Sequence, residues 1–185
     1  MFPLKLADRL AKKTPQGVKT ERQLTKVKIY RGLPSPRKES KTNAAAQRQN
    51  MSWTAKYAHL VELHTRPLAY RKEVILDSDG AEIQAEIARE KGVDVELAIA
   101  MVRDSVFANP PECEVAILFS NDTDFEPVLE MLVQNRGRDS VEVARWCDNK
   151  HYPPDPPTVA GVKLRQHLLD HAFYKSVEDT TSYGY

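Results

Sequence analysis

The sequence predicts an α/β protein built on a parallel sheet, and two observations carry that prediction. Residues 114 to 119, EVAILF, form a short, almost wholly apolar run rich in β-preferring side chains, the pattern of a strand buried on both faces of a parallel sheet. Around it strand-like and helix-like stretches alternate, the order that parallel strands joined by helical crossovers require.

Residues 3 to 13, PLKLADRLAKK, space Leu4, Leu6, Ala7 and Leu10 on one side and end in lysines, as a short amphipathic helix does. Thr14 to Lys19 breaks it. Residues 26 to 31, KVKIYR, alternate apolar and charged side chains as a strand, and the GLPSPRKESK stretch that follows reads as a basic loop. Thr42 to Leu60 favours helix, with Met51, Trp53, Tyr57 and Leu60 interleaved by Arg48 and Lys56. Such aromatic residues form the core side of a helix more often than a platform for bases. Val61 to Ile75 contains one or two strands interrupted at Pro67, and residues 77 to 90 read as a polar connection.

From Val93 to Phe107 apolar residues recur at helical intervals, with Asp94 at the start as N-cap or first-turn acid. The apolar strand then stops at Ser120, Asn121, Asp122, Thr123 and Asp124, small polar residues suited to a tight strand-to-helix turn. Phe125 to Gln134 resumes helical spacing, with Asp124 expected as N-cap and Pro127 in the first turn, where its missing N–H costs little. Residues 141 to 145, VEVAR, form another strand; residues 151 to 158, HYPPDPPT, a proline-rich connection; residues 162 to 174 a C-terminal helix. The expected organisation is one domain over residues 1–185, since 185 residues that are 41% hydrophobic can build one real core.

No apolar run approaches the roughly 20 residues that span a bilayer, and the N-terminus lacks a secretory apolar stretch, so a cytoplasmic protein with no membrane partner is expected. Cys113 and Cys147 stand apart without paired spacing, which argues against a disulfide framework or a cysteine zinc knuckle. The net charge of +1 conceals an asymmetry: residues 1 to 72 carry 17 Lys and Arg against 4 Asp and Glu, and residues 73 to 185 carry 10 against 22. A polyanion held beside carboxylates needs such a division, and two mutually attracting solvated faces, including those of a homo-oligomer, would produce it too.

Asp122 and Asp124 fall at the carboxyl end of a strand, where open α/β sheets build their sites. If the preceding helix brings Asp94 close, three carboxylates share one region, and oxygen-only donors select hard cations such as Mg²⁺ or Mn²⁺. An Asp-Thr-Asp after a strand is also what a plain capped turn looks like. His167 and His171 stand four residues apart, yet position 168 is Leu rather than the Glu of a metalloprotease helix. There is no phosphate-cradling glycine loop and no GxSxG, so nucleotide and serine hydrolases gain no support.

The blocks KIYRG at 28 to 32, KGVDVELA at 91 to 98, AILFSNDTDFEPVLE at 116 to 130, VEVARW at 141 to 146 and HAFYKSVEDTTSY at 171 to 183 resemble the NYN domain, a branch of the PIN-like nuclease superfamily. The resemblance is strongest over residues 27 to 146. It implies a three-layer α/β/α PIN-like fold with a mainly parallel central sheet, and an acidic centre that binds Mg²⁺ or Mn²⁺ and cleaves RNA. The family's acidic positions fall on Asp94, Asp122 and Asp124, as catalytic residues and metal ligands, with Ser120 and Asn121 supporting the turn. Two positions depart from the pattern: the family's opening strand, which ends in an aspartate, has no counterpart, and Ala100 stands where a further acid is often found. The implied activity is a metal-dependent endoribonuclease; the alternative is a catalytically impaired RNA-binding or protein-interaction remnant of the same fold. Arg48, Lys56, Arg66, Arg71 and Lys72, from the basic half, are the candidates for RNA phosphate contacts.

Overall fold

A computed structural model describes residues 1–13, 19–55, 57–76, 78, 80–108, 110–147 and 154–184. The elements in chain order are α1 (Pro3–Ala11), β1 (Val27–Leu33), α2 (Ser40–Ala55), β2 (Val61–Pro67), β3 (Ala69–Leu76), β4 (Glu82–Arg89) and α3 (Val93–Val102). They continue with β5 (Ala116–Phe119), α4 (Glu126–Arg136), β6 (Val141–Trp146), β7 (Thr158–Val159), β8 (Val162–Lys163), β9 (Arg165–Leu169) and α5 (His171–Ser176). They divide into two compact units, Met1–Val27 with Leu97–Thr180, and Lys28–Glu96 with Thr181–Tyr185.

The first unit is organised on a three-stranded sheet in the order β5-β6-β9, parallel throughout. Ala116 lies opposite Val141 and Phe119 opposite Ala144; on the other side of β6, Glu142 pairs with Arg165 and Trp146 with Leu169. Side chains alternate between faces, and both faces are covered. Leu118, Val141 and Val143 pack with Val128, Leu129 and Leu132 of α4 and with Leu97 and Met101 of α3. On the opposite face Ile117, Phe119, Ala144 and Trp146 meet Leu6 and Leu10 of α1 and Phe173 of α5. Two helical layers around one sheet make the three-layer α/β/α arrangement, and they explain why EVAILF is apolar without alternation.

The second unit contains the pair β1-β2 and the antiparallel hairpin β3-β4, which runs from Ala69 opposite Arg89 to Leu76 opposite Glu82. Helix α2 buries Ala45, Ala46 and Trp53, and Arg31 lies over the Trp53 ring, 5.3 Å from its centroid. Trp53 is thus a core residue, whereas Met51 is exposed.

Three expectations need correction. Residues 162 to 174 do not form one helix: Val162–Lys163 pairs with β7, Arg165–Leu169 is the third parallel strand, and only His171–Ser176 is helical. The apolar residues there satisfy either period over so short a span, and backbone pairing with β6 decides for strand. Asp170 then accepts a hydrogen bond from the Phe173 N–H at 2.7 Å and starts α5. Residues 77 to 90 are not merely a connection, because Glu82–Arg89 closes the hairpin. Its charges sit on an exposed strand held by cross-strand pairs, among them Arg89 with Glu73 at 2.7 Å. The helix from Val93 is α-helical to Val102 and finishes as a π-helical turn over Arg103–Phe107. Of the expected break at 14 to 19 and the proline-rich connection at 151 to 158, residues 14–18 and 151–153 lie outside the described residues.

Candidate functional site

The chain leaves β5 at Phe119 and must turn immediately to enter α4, and Ser120 to Asp124 make that turn by local hydrogen bonds. The Ser120 N–H donates to the Ala144 carbonyl at 3.2 Å, which ties the turn to β6. The Asp122 N–H donates to Ser120 Oγ at 3.0 Å, and the Asp124 N–H donates to Asp122 Oδ1 at 2.9 Å. Asp122, in extended conformation, is therefore the residue that caps the short 3₁₀ turn Thr123–Phe125 leading into α4. The expected cap was Asp124; it lies inside that turn, because the helical path begins one residue pair earlier than the apolar spacing indicates. Phe125 is buried beneath, and Asn121, Asp122 and Asp124 are exposed at the carboxyl end of the sheet.

Asp94 belongs to the other unit, in the first turn of α3, where it is exposed beside Glu96. Gly92, with φ of 76°, provides the left-handed residue from which this helix departs, and its carbonyl accepts from the Glu96 N–H. Among the described residues no group of three His, Cys, Asp or Glu side chains is assembled to hold a metal ion. The Asp122 and Asp124 carboxylates nevertheless fit a Mg²⁺-type ion by donor chemistry, since such ions bind through one or two carboxylates, retained waters and substrate phosphates.

Of the candidate phosphate contacts, Arg71 and Lys72 are exposed on β3. Arg66 is exposed within 3.5 Å of Glu96. Arg48 serves the fold, donating from Nε to the Tyr183 carbonyl at 2.7 Å and from Nη2 to that of Gly184 at 3.2 Å. Lys56 lies outside the described residues.

Two charged positions on β6 escaped the sequence reading. Glu142, fully buried at the amino end of the strand, accepts both Arg22 guanidinium N–H groups at 3.0 Å and lies 2.8 Å from His167 Nε2. Burial alone would raise its pKa; the hydrogen bonds from His167 and Arg22, with the Arg22 charge, outweigh that and hold it at about 2. His167 is thus a strand residue engaged with a carboxylate, and it shares no helix face with His171. Arg145 lies near the carboxyl end of the same strand and is 9% exposed. The available clue was a charge embedded in VEVARW, a strand apolar enough to be covered on both faces.

A parallel sheet between helical layers, with an acidic turn at the carboxyl end of a strand, defines the class of PIN-like α/β domains. The family model of the NYN domain matches residues 13–150, and the chain belongs to that family, within the PIN-like nuclease superfamily. No curated protein and no solved structure gives a significant match. No helix among the described residues is long and apolar enough to cross a membrane.

Proposed function

We propose that the chain is a metal-dependent endoribonuclease that hydrolyses RNA phosphodiester bonds at the carboxyl end of β5. The observation that carries this reading is the hydrogen-bonded Ser120–Asp124 turn, whose backbone carries two exposed carboxylates at the end of β5 in a member of a nuclease family. Asp122 and Asp124 would hold Mg²⁺ or Mn²⁺, and Asp94 is assigned as a further ligand or as the base that orients the attacking water. The ion, when bound, supplies a water of lowered pKa and neutralises charge on the phosphodiester. The chain's own contribution is positioning: the Ser120 hydroxyl and the Asp122 cap hold the turn's backbone and the Asp122 carboxylate in place before substrate arrives.

Asp122→Asn keeps a good capping oxygen while removing the charge, so it separates chemistry from folding. Cleavage of mixed single-stranded and hairpin RNA is expected with Mn²⁺ or Mg²⁺, to stop with chelator, and to be lost in Asp122→Asn at unchanged thermal stability. Asp94→Asn tests the third acid in the same assay. RNA bound but uncut by the unaltered chain under all metal conditions would replace this reading with that of an RNA-binding remnant.

A further inference from the structure

Arg145 has no assigned role, and its surroundings are unusual for an arginine. It is nine-tenths buried, its Nε is buried without a hydrogen-bond partner, and among the described residues no carboxylate pairs with it. Burying a guanidinium without a counter-charge is costly, and such groups are normally paired. In the same strand Glu142 has Arg22 and His167 within 3.0 Å, whereas among the described residues the cation at the other end of β6 has no ion-pair partner.

The register places this cation. Phe119 pairs with Ala144, so the next residues, Ser120 and Arg145, are neighbours at the carboxyl end of the sheet. Arg145 also shares the sheet face of Val141 and Val143, the face covered by α4, whose entry turn carries Asp122 and Asp124. On its other side it pairs with Leu168, which is 43% exposed.

We infer that Arg145 is a phosphate-binding residue, its guanidinium fork taking the non-bridging oxygens of a nucleic-acid phosphodiester delivered to the Ser120–Asp124 turn. Arginine suits this task because its planar, weakly hydrated donors match phosphate oxygens in pairs. A bound phosphate provides a counter-charge that none of the described carboxylates supplies, and it offsets the repulsion between the substrate backbone and the two aspartates. The inference rests on the proposed nuclease site only in placing the substrate at this end of the sheet.

The test is binding of a short labelled single-stranded RNA in the presence of chelator, for the unaltered chain and for Arg145→Met, which keeps the stem and removes the charge. Affinity is expected to fall about ten- to a hundredfold. The slope of log affinity against log salt should shrink by roughly 0.7, the contribution of one phosphate on a single strand. The melting temperature without RNA should hold or rise, since an uncompensated buried charge has been removed. An arginine that merely supports the fold predicts the reverse: lower melting temperature with affinity and salt slope intact, and that result overturns the inference. Should Arg145→Met not fold, Arg145→Lys keeps the charge and loses the fork; weakened binding with the salt slope retained supports the assignment, and unchanged binding overturns it. Because chelator suppresses cleavage, Arg145-dependent binding without any metal-dependent cutting would refute the nuclease reading alone. Metal-dependent cutting with binding indifferent to Arg145 would refute this inference alone.

Discussion

Individual charged residues in this chain do opposite things. Asp122 faces solvent and uses one carboxylate oxygen to cap the turn into α4. Glu142 is wholly buried and survives as a carboxylate because Arg22 and His167 surround it. Its folded-state pKa of about 2 lies below the ordinary 4.5, so its contribution to stability is fully present above pH 4.5 and is lost as pH falls towards 2. That contribution is at most a few kcal/mol, because Arg22 is partly exposed and solvent screens the pair. Urea unfolding followed from pH 5 downwards should show the loss, and Glu142→Gln should flatten the pH dependence while lowering stability at neutral pH, as Arg22 loses its counter-charge. An acid-unfolding profile identical in the variant would show that other carboxylates govern it. Cys113 contributes no comparable chemistry, since burial pushes its thiol pKa up, away from the reactive thiolate.

At the level of elements, the strands and helices that contact the sheet follow from local pattern, and those that depend on distant partners do not. Strand β5 and helix α4 were legible because one is apolar throughout and the other follows a polar turn. Strand β9 was not, because RQHLL carries no clear period and becomes a strand through its pairing with β6. The boundary between β9 and α5 is set by Asp170, whose carboxylate accepts the Phe173 N–H. Asp170→Ala is expected to cost about 1 kcal/mol, and Asp170→Asn or Asp170→Ser much less. Thermal or urea unfolding checks this; an alanine variant as stable as the parent would mean that packing of Phe173 alone starts the helix.

For the whole molecule, the separation of charge along the chain is the property that salt dependence tests. If the basic residues of positions 1 to 72 meet RNA, log affinity should fall linearly with log salt between about 50 and 200 mM, with a slope of about −0.7 per phosphate neutralised on a single strand. Arg71 and Lys72 are the exposed pair to substitute first; Arg48, engaged by the Tyr183 and Gly184 carbonyls, would report on folding instead. Affinity insensitive to salt would exclude a phosphate-led interface.

By itself the sequence determined the α/β class, the apolar strand, the acidic turn after it and the family, because each is written in contiguous residues whose period or polarity is diagnostic. The tertiary structure decided which aspartate caps the turn, that residues 165 to 169 are a strand, and what becomes of the charges on β6. The reason is physical. Capping depends on a backbone path fixed by how β5 and β6 align, β9 depends on a partner strand about twenty residues away, and the state of Glu142 and Arg145 depends on which side chains the fold brings to each. One strand, VEVARW, thus carries a carboxylate with a bidentate partner and a buried guanidinium whose Nε has no hydrogen-bond partner.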